Sequence, residues 1–72
     1  MEYIVIHGPN TKQWWVYNEE EDFYIDPPSE VLNQVEAFSS DINEQEEYFQ
    51  NIVDENPSWL YDEDYYYEDI EL

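Results

Sequence analysis

The chain has 72 residues, room for one small domain with a single core. Twenty Asp and Glu stand against one basic side chain, Lys12, and the formal charge of −19 excludes direct binding to nucleic acid or to an anionic membrane surface, since both would repel it. Cysteine is absent, which excludes disulfides and thiolate metal sites, and no apolar stretch approaches the ~18 residues of a bilayer-spanning helix.

Residues 2–7 (EYIVIH) are rich in β-branched and aromatic side chains and predict a first strand. Gly8, Pro9, Asn10 and Thr11 supply turn chemistry. Residues 13–18 (QWWVYN) predict a second strand, with Trp14 and Val16 on one face and Trp15 and Tyr17 on the other. After the polar break at Asn18, Glu19, Glu20, Glu21 and Asp22, the triplet Phe23, Tyr24, Ile25 fits a short third strand.

Pro27 and Pro28 stop this pattern, and Ser29 is an expected N-cap for a first helix whose apolar stripe is Val31, Leu32, Val35 and Phe38. Ser39 and Ser40 end it. Asp41 with Glu44 three residues on resembles a capping box and opens a second helix. Ile42, Gln45, Phe49, Ile52 and Val53 lie on one side of it, and Glu44, Glu47, Asn51 and Asp54 on another. Asn56 and Pro57 close that helix.

Residues 58–72 form an acidic-aromatic segment that fits either an edge strand, with Tyr66, Glu68, Ile70 and Leu72 on one face, or a partly disordered tail. Leu, Ile, Val and Phe make up 17 of the 72 residues, about 24%, above the ~20% below which charged chains stay disordered. Fourteen aromatic rings add large apolar area. The expected architecture is a single α+β domain: a small antiparallel sheet of two to four strands with two helices. Such a fold is marginally stable and gains from a partner or a homodimer.

Catalysis is not expected. Nucleophilic chemistry needs a nucleophile, a base and an orienting group, and His7, a strand-end residue, is the only histidine. Paired carboxylates carry no signal where twenty acids are present. The only glycine, Gly8, is far from both acidic runs, so neither fits an EF-hand loop, and no Cys or His cluster is available for zinc. The expectation is no metal and no cofactor.

The charge then needs an account, because it far exceeds the magnitude of roughly 2–8 that solubility asks of a small domain. Surface scaling for this mass gives on the order of 4,800 Å², or roughly one acid per 240 Å². Duplex DNA, taken as a cylinder about 20 Å wide, carries roughly one charge per 110 Å². Acids gathered on half the surface would match it. Carboxylates at i, i+3 or i+4 on a helix lie about 5–6 Å apart, and at i, i+2 on a strand about 6.6 Å apart, spacings similar to successive phosphates. Tyr61, Tyr65, Tyr66 and Tyr67 stand among acids, either as core and edge-strand residues or as an interface offering cation–π faces to arginine and lysine. Trp14, Trp15 and Trp59 are expected in the core.

Twenty acids, one basic residue, many aromatics, no cysteine and small size make the chain resemble small acidic DNA-mimic proteins, mostly phage-encoded. That class includes inhibitors of restriction enzymes, of uracil-DNA glycosylase, of CRISPR effectors and of the nucleoid protein HU. The resemblance is compositional, spans the whole chain and rests on no shared motif. It implies host takeover by occlusion: carboxylates fill the phosphate sites of a basic host DNA-binding protein in the host cytoplasm. On this reading the expected contact residues are Glu44, Glu47, Asp54 and Glu55 of the second helix, with Asp62, Glu63, Asp64, Glu68 and Asp69 and the rings of Tyr65 and Tyr67. Glu19, Glu20, Glu21 and Asp22 form a secondary acidic cluster. The alternatives are an acidic adaptor or antitoxin-like inhibitor that covers a basic surface without imitating DNA, and a halophilic protein whose acids serve hydration alone.

Overall fold

The computed structural model describes residues 3–9 and 13–67. Among these residues four strands and two helices make an α+β fold: β1 (Tyr3–His7), β2 (Trp14–Asn18), β3 (Phe23–Ile25), α1 (Ser29–Phe38), α2 (Ile42–Asp54) and β4 (Tyr66–Tyr67). Two single-turn 3-10 segments, Ser58–Tyr61 and Glu63–Tyr65, link α2 to β4. The sheet is antiparallel throughout, in the order β1-β2-β3-β4.

Register follows the alternation of the strands. Val5 pairs with Val16 and Val16 with Ile25, while Ile4 pairs with Tyr17 and Tyr17 with Tyr24. One sheet face therefore carries Tyr3, Val5, Trp14, Val16 and Ile25, which join Val35, Phe49, Val53 and Leu60 in the core. The opposite face carries Ile4, Ile6, Trp15, Tyr17, Tyr24 and Tyr67. There Tyr17 and Tyr24 pack with ring centroids 5.0 Å apart, and Trp15 meets Tyr67 edge-on at 5.3 Å.

The turn between β2 and β3 is built by Asn18. Its buried side-chain oxygen accepts from the backbone N–H groups of Glu20 and Glu21, at 2.9 and 3.0 Å, and its carbonyl accepts from Asp22 N–H at 2.9 Å. Asp22 closes the turn at φ 58°, a left-handed conformation that aspartate tolerates better than most residues.

Pro28, not Ser29, occupies the N-cap of α1, and no side chain caps that end; Ser29 is the first helical residue. The expected cap of α2 is present, with Asp41 accepting from Asn43 and Glu44 N–H. The reciprocal half of the capping box is replaced: Ser39 Oγ accepts from Asp41 N–H, and the Ser39 hydroxyl donates to Glu44. α2 ends where Asn56 turns to φ 62°, the position at which asparagine substitutes for glycine.

The C-terminal segment resolves the choice left by its sequence as far as Tyr67. Tyr66 and Tyr67 add an edge strand to β3, and Asp26 N–H extends the pairing to Tyr65 carbonyl at 2.8 Å. The proposed strand positions Glu68, Ile70 and Leu72 lie outside the described residues. Trp14 is in the core, Trp59 packs half-buried against it, and Trp15 is buried on the opposite sheet face. Among the described residues the Trp15 indole N–H has no acceptor. No helix among them is long and apolar enough to cross a membrane.

Candidate functional site

Every described acid is exposed except Asp26, which is half-buried. The total accessible surface is 4871 Å², so twenty acids average roughly one per 240 Å², as mass scaling predicts. The chain holds no arginine and its one lysine lies outside the described residues, so none of the described residues is a lysine or arginine.

The first acidic group runs along α2. Glu44, Glu47, Asn51 and Asp54 are all exposed and recur at helical spacing, a row of about 15 Å from end to end. Asp54 is fixed by Gln50 Nε2, which donates to it at 3.1 Å, and Glu44 by the Ser39 hydroxyl at 2.9 Å. Asp54 and Glu55 sit at the negative end of the helix dipole, where a cation would be favoured, and the last turn has no basic residue. The placement opposes helix stability.

The second group joins residues forty positions apart. Asp62 and Glu63 lie near Tyr66, as does Glu21 of the β2–β3 turn, and Glu21, Asp22, Phe23 and Tyr66 line one shallow cleft. Burial first, and then the fields of Glu21, Glu63 and Asp62, push the Tyr66 phenol above its ordinary value. Its hydroxyl donates to Leu60 carbonyl at 3.0 Å, and its ring lies 4.3 Å from Phe23. Asp62 caps the second 3-10 turn by accepting from Asp64 N–H. The turn cluster that the sequence ranks second is thus part of the same acidic surface as the C-terminal one. Long-range packing of β4 on β3 creates that junction, and no local pattern announces it.

The first group faces outward from α2, on the side away from the core residues Phe49 and Val53, and the second lies beside β4. α2 packs against β1, one edge strand, and the second group gathers around β4, the other. Four strands at about 4.8 Å spacing separate β1 from β4 by roughly 14 Å. Tyr65 and Tyr67 are not brought together: Tyr65 packs half-buried against the core, and Tyr67 is exposed on the other face beside Trp15. Glu68 and Asp69 lie outside the described residues.

Three features depart from, or go beyond, what the sequence predicts. Phe38, expected within the apolar stripe of α1, is 55% exposed and stacks face to face on Tyr48. Ile42, assigned to the packed side of α2, is also exposed. Gln50 binds the backbone of β1, a role that nothing in its neighbourhood signals. His7 packs on Trp14 at 4.6 Å and meets no nucleophile pattern, and no group of three or more His, Asp or Glu among the described residues is arranged to hold a metal. Compared with family models, curated proteins and solved structures, the chain matches none.

Proposed function

We propose that the protein is a non-catalytic inhibitor that occupies the DNA-binding surface of a basic DNA-binding protein. Carboxylates stand in for phosphates, and a nucleoid protein, a nuclease, a CRISPR effector or a repair glycosylase is the kind of target that fits. The observation that carries this reading is the exposure of every described acid but Asp26, with a row along α2 and a separate group around β4, and no lysine or arginine among the described residues. A duplex presents separated anionic rows, and the shortest Cα extent of the fold, in 31 × 27 × 21 Å, is close to a duplex width of about 20 Å. Acids at the C-terminal end of α2 oppose folding there, which suits a field kept for a partner. Two such folds would extend the charged surface beyond one turn of DNA.

A second reading has its own support. Ile4 and Tyr67 are exposed on the open sheet face, and Phe38 on α1, and a surface that only imitates phosphates does not require them. An acidic adaptor that covers a basic enzyme through mixed apolar and ionic contacts does. The two separate in an affinity capture from bacterial lysate at about 100 mM salt, washed with duplex DNA and then with high salt. Release of one dominant DNA-binding protein by duplex at constant ionic strength supports mimicry. A partner that duplex leaves in place supports the adaptor.

A further inference from the structure

We infer that the mouth between the end of α1 and the middle of α2 seats an arginine side chain of a basic protein partner. Phe38 and Tyr48 stack with centroids 4.3 Å apart and planes within 7° of parallel. Phe38 leaves more than half its surface to solvent. The rings, together with Glu44, Glu47 and Asn51, line a cleft of about 450 Å³. An exposed ring beside two carboxylates suits a cationic, flat occupant.

Other occupants fit worse. An apolar side chain would desolvate Glu44 and Glu47 without a counter-charge. A second copy of this chain brings nineteen further net negative charges and one lysine. A lysine ammonium satisfies the carboxylates but cannot stack on the rings as a plane. A guanidinium does both: it lies flat on an aromatic face and forks its N–H donors onto a carboxylate. The Ser39 hydroxyl bond takes up one acceptor site of Glu44 and orients the group, leaving its other lone pairs for the guest. Glu47 follows one helical turn on, about 5–6 Å away at Cβ. The inference rests on the reading of the chain as the ligand of a basic protein and narrows that partner to one that presents arginine; it does not depend on the partner binding DNA.

The test titrates the full chain with labelled oligoarginine and oligolysine peptides of equal length at one salt concentration, followed by anisotropy and by side-chain NMR. Oligoarginine is expected to bind about three- to tenfold tighter than oligolysine, with resonance shifts centred on Phe38, Tyr48 and Glu47. Phe38→Ser should abolish that preference and leave oligolysine affinity unchanged. Phe38→Leu, which keeps apolar packing but removes the ring, carries the same comparison should the serine variant unfold. Equal affinity for the two peptides, or a preference that survives both Phe38 variants, overturns the inference. Arginine selectivity in the cleft alongside a protein partner that duplex cannot displace keeps the inference and discards mimicry. Displacement by duplex without arginine selectivity does the reverse.

Discussion

Gln50 completes the outer edge of β1 through the backbone on either side of Ile4: its Oε1 accepts from Val5 N–H at 3.0 Å and its Nε2 donates to Tyr3 carbonyl at 3.1 Å. One side-chain amide thereby imitates a neighbouring strand and satisfies groups that an edge would leave open. Gln50→Ala should destabilise the fold by about 1–3 kcal/mol, because two part-buried backbone groups lose their partner. Urea unfolding should show a lower midpoint at unchanged slope. Gln50→Glu keeps the acceptor, loses the donor and adds a charge beside Asp54, so it should be no better than alanine. A midpoint within error of the parent for both variants contradicts this role.

Tyr17 and Asp22 form the second pair with a measurable signature. The phenol donates to the Asp22 carboxylate at 2.6 Å, and that hydrogen bond, ahead of desolvation and charge repulsion, raises its pKa from 10.0 to about 12. A raised phenol favours folding below pH ~10, and that contribution is lost as pH rises through about 12. The alkaline absorbance titration should therefore contain a late-ionising tyrosine that vanishes in Tyr17→Phe. In Asp22→Asn the same tyrosine should ionise earlier. A titration unchanged by either variant speaks against the bond.

Asp26 reverses the usual pH behaviour of a carboxylate. Burial raises its pKa above the ordinary 3.8, so the folded state holds the proton more tightly than the unfolded chain. The ionised group opposes folding at neutral pH, and the opposition fades as pH falls through the raised value. Mild acidification should raise Tm, helped by the loss of repulsion among the other acids. Asp26→Asn should have a higher Tm than the parent at pH ~7, with the gap closing toward pH ~3. A gap that stays constant across that range shows that the carboxyl's ionisation is not the cause.

Neutralising the acids around Tyr66 separates stability from binding. Glu21→Gln, Asp62→Asn and Glu63→Gln together should raise Tm by roughly 4 °C, since like charges are removed from one small surface. The same triple variant should bind its partner more weakly, with a shallower dependence of affinity on salt. Lower stability with unchanged binding would remove this group from the proposed contact surface.

The strands and helices were legible because each has a local cause. Alternation set the faces of β1 and β2, Asp41 capped α2, and Asn56 before Pro57 ended it. Ser29 is a favoured N-cap residue type, yet Pro28 takes that position because it already holds the extended conformation the N-cap needs. Phe38 fits the α1 stripe by periodicity, yet α1 ends at that residue and its ring turns to Tyr48 instead of the core. The acids of α2 could be placed on one face from spacing alone. The junction of Glu21 with Asp62 and Glu63 could not, because it depends on a strand pairing across some forty residues.

Mimicry is tested by a competition titration on the captured partner, with labelled duplex already bound and the chain added at constant ionic strength. The chain should displace the labelled duplex completely, and the chain concentration needed for half-displacement should rise as the duplex concentration is raised. A ternary complex, in which the partner holds duplex and the chain together, would contradict it.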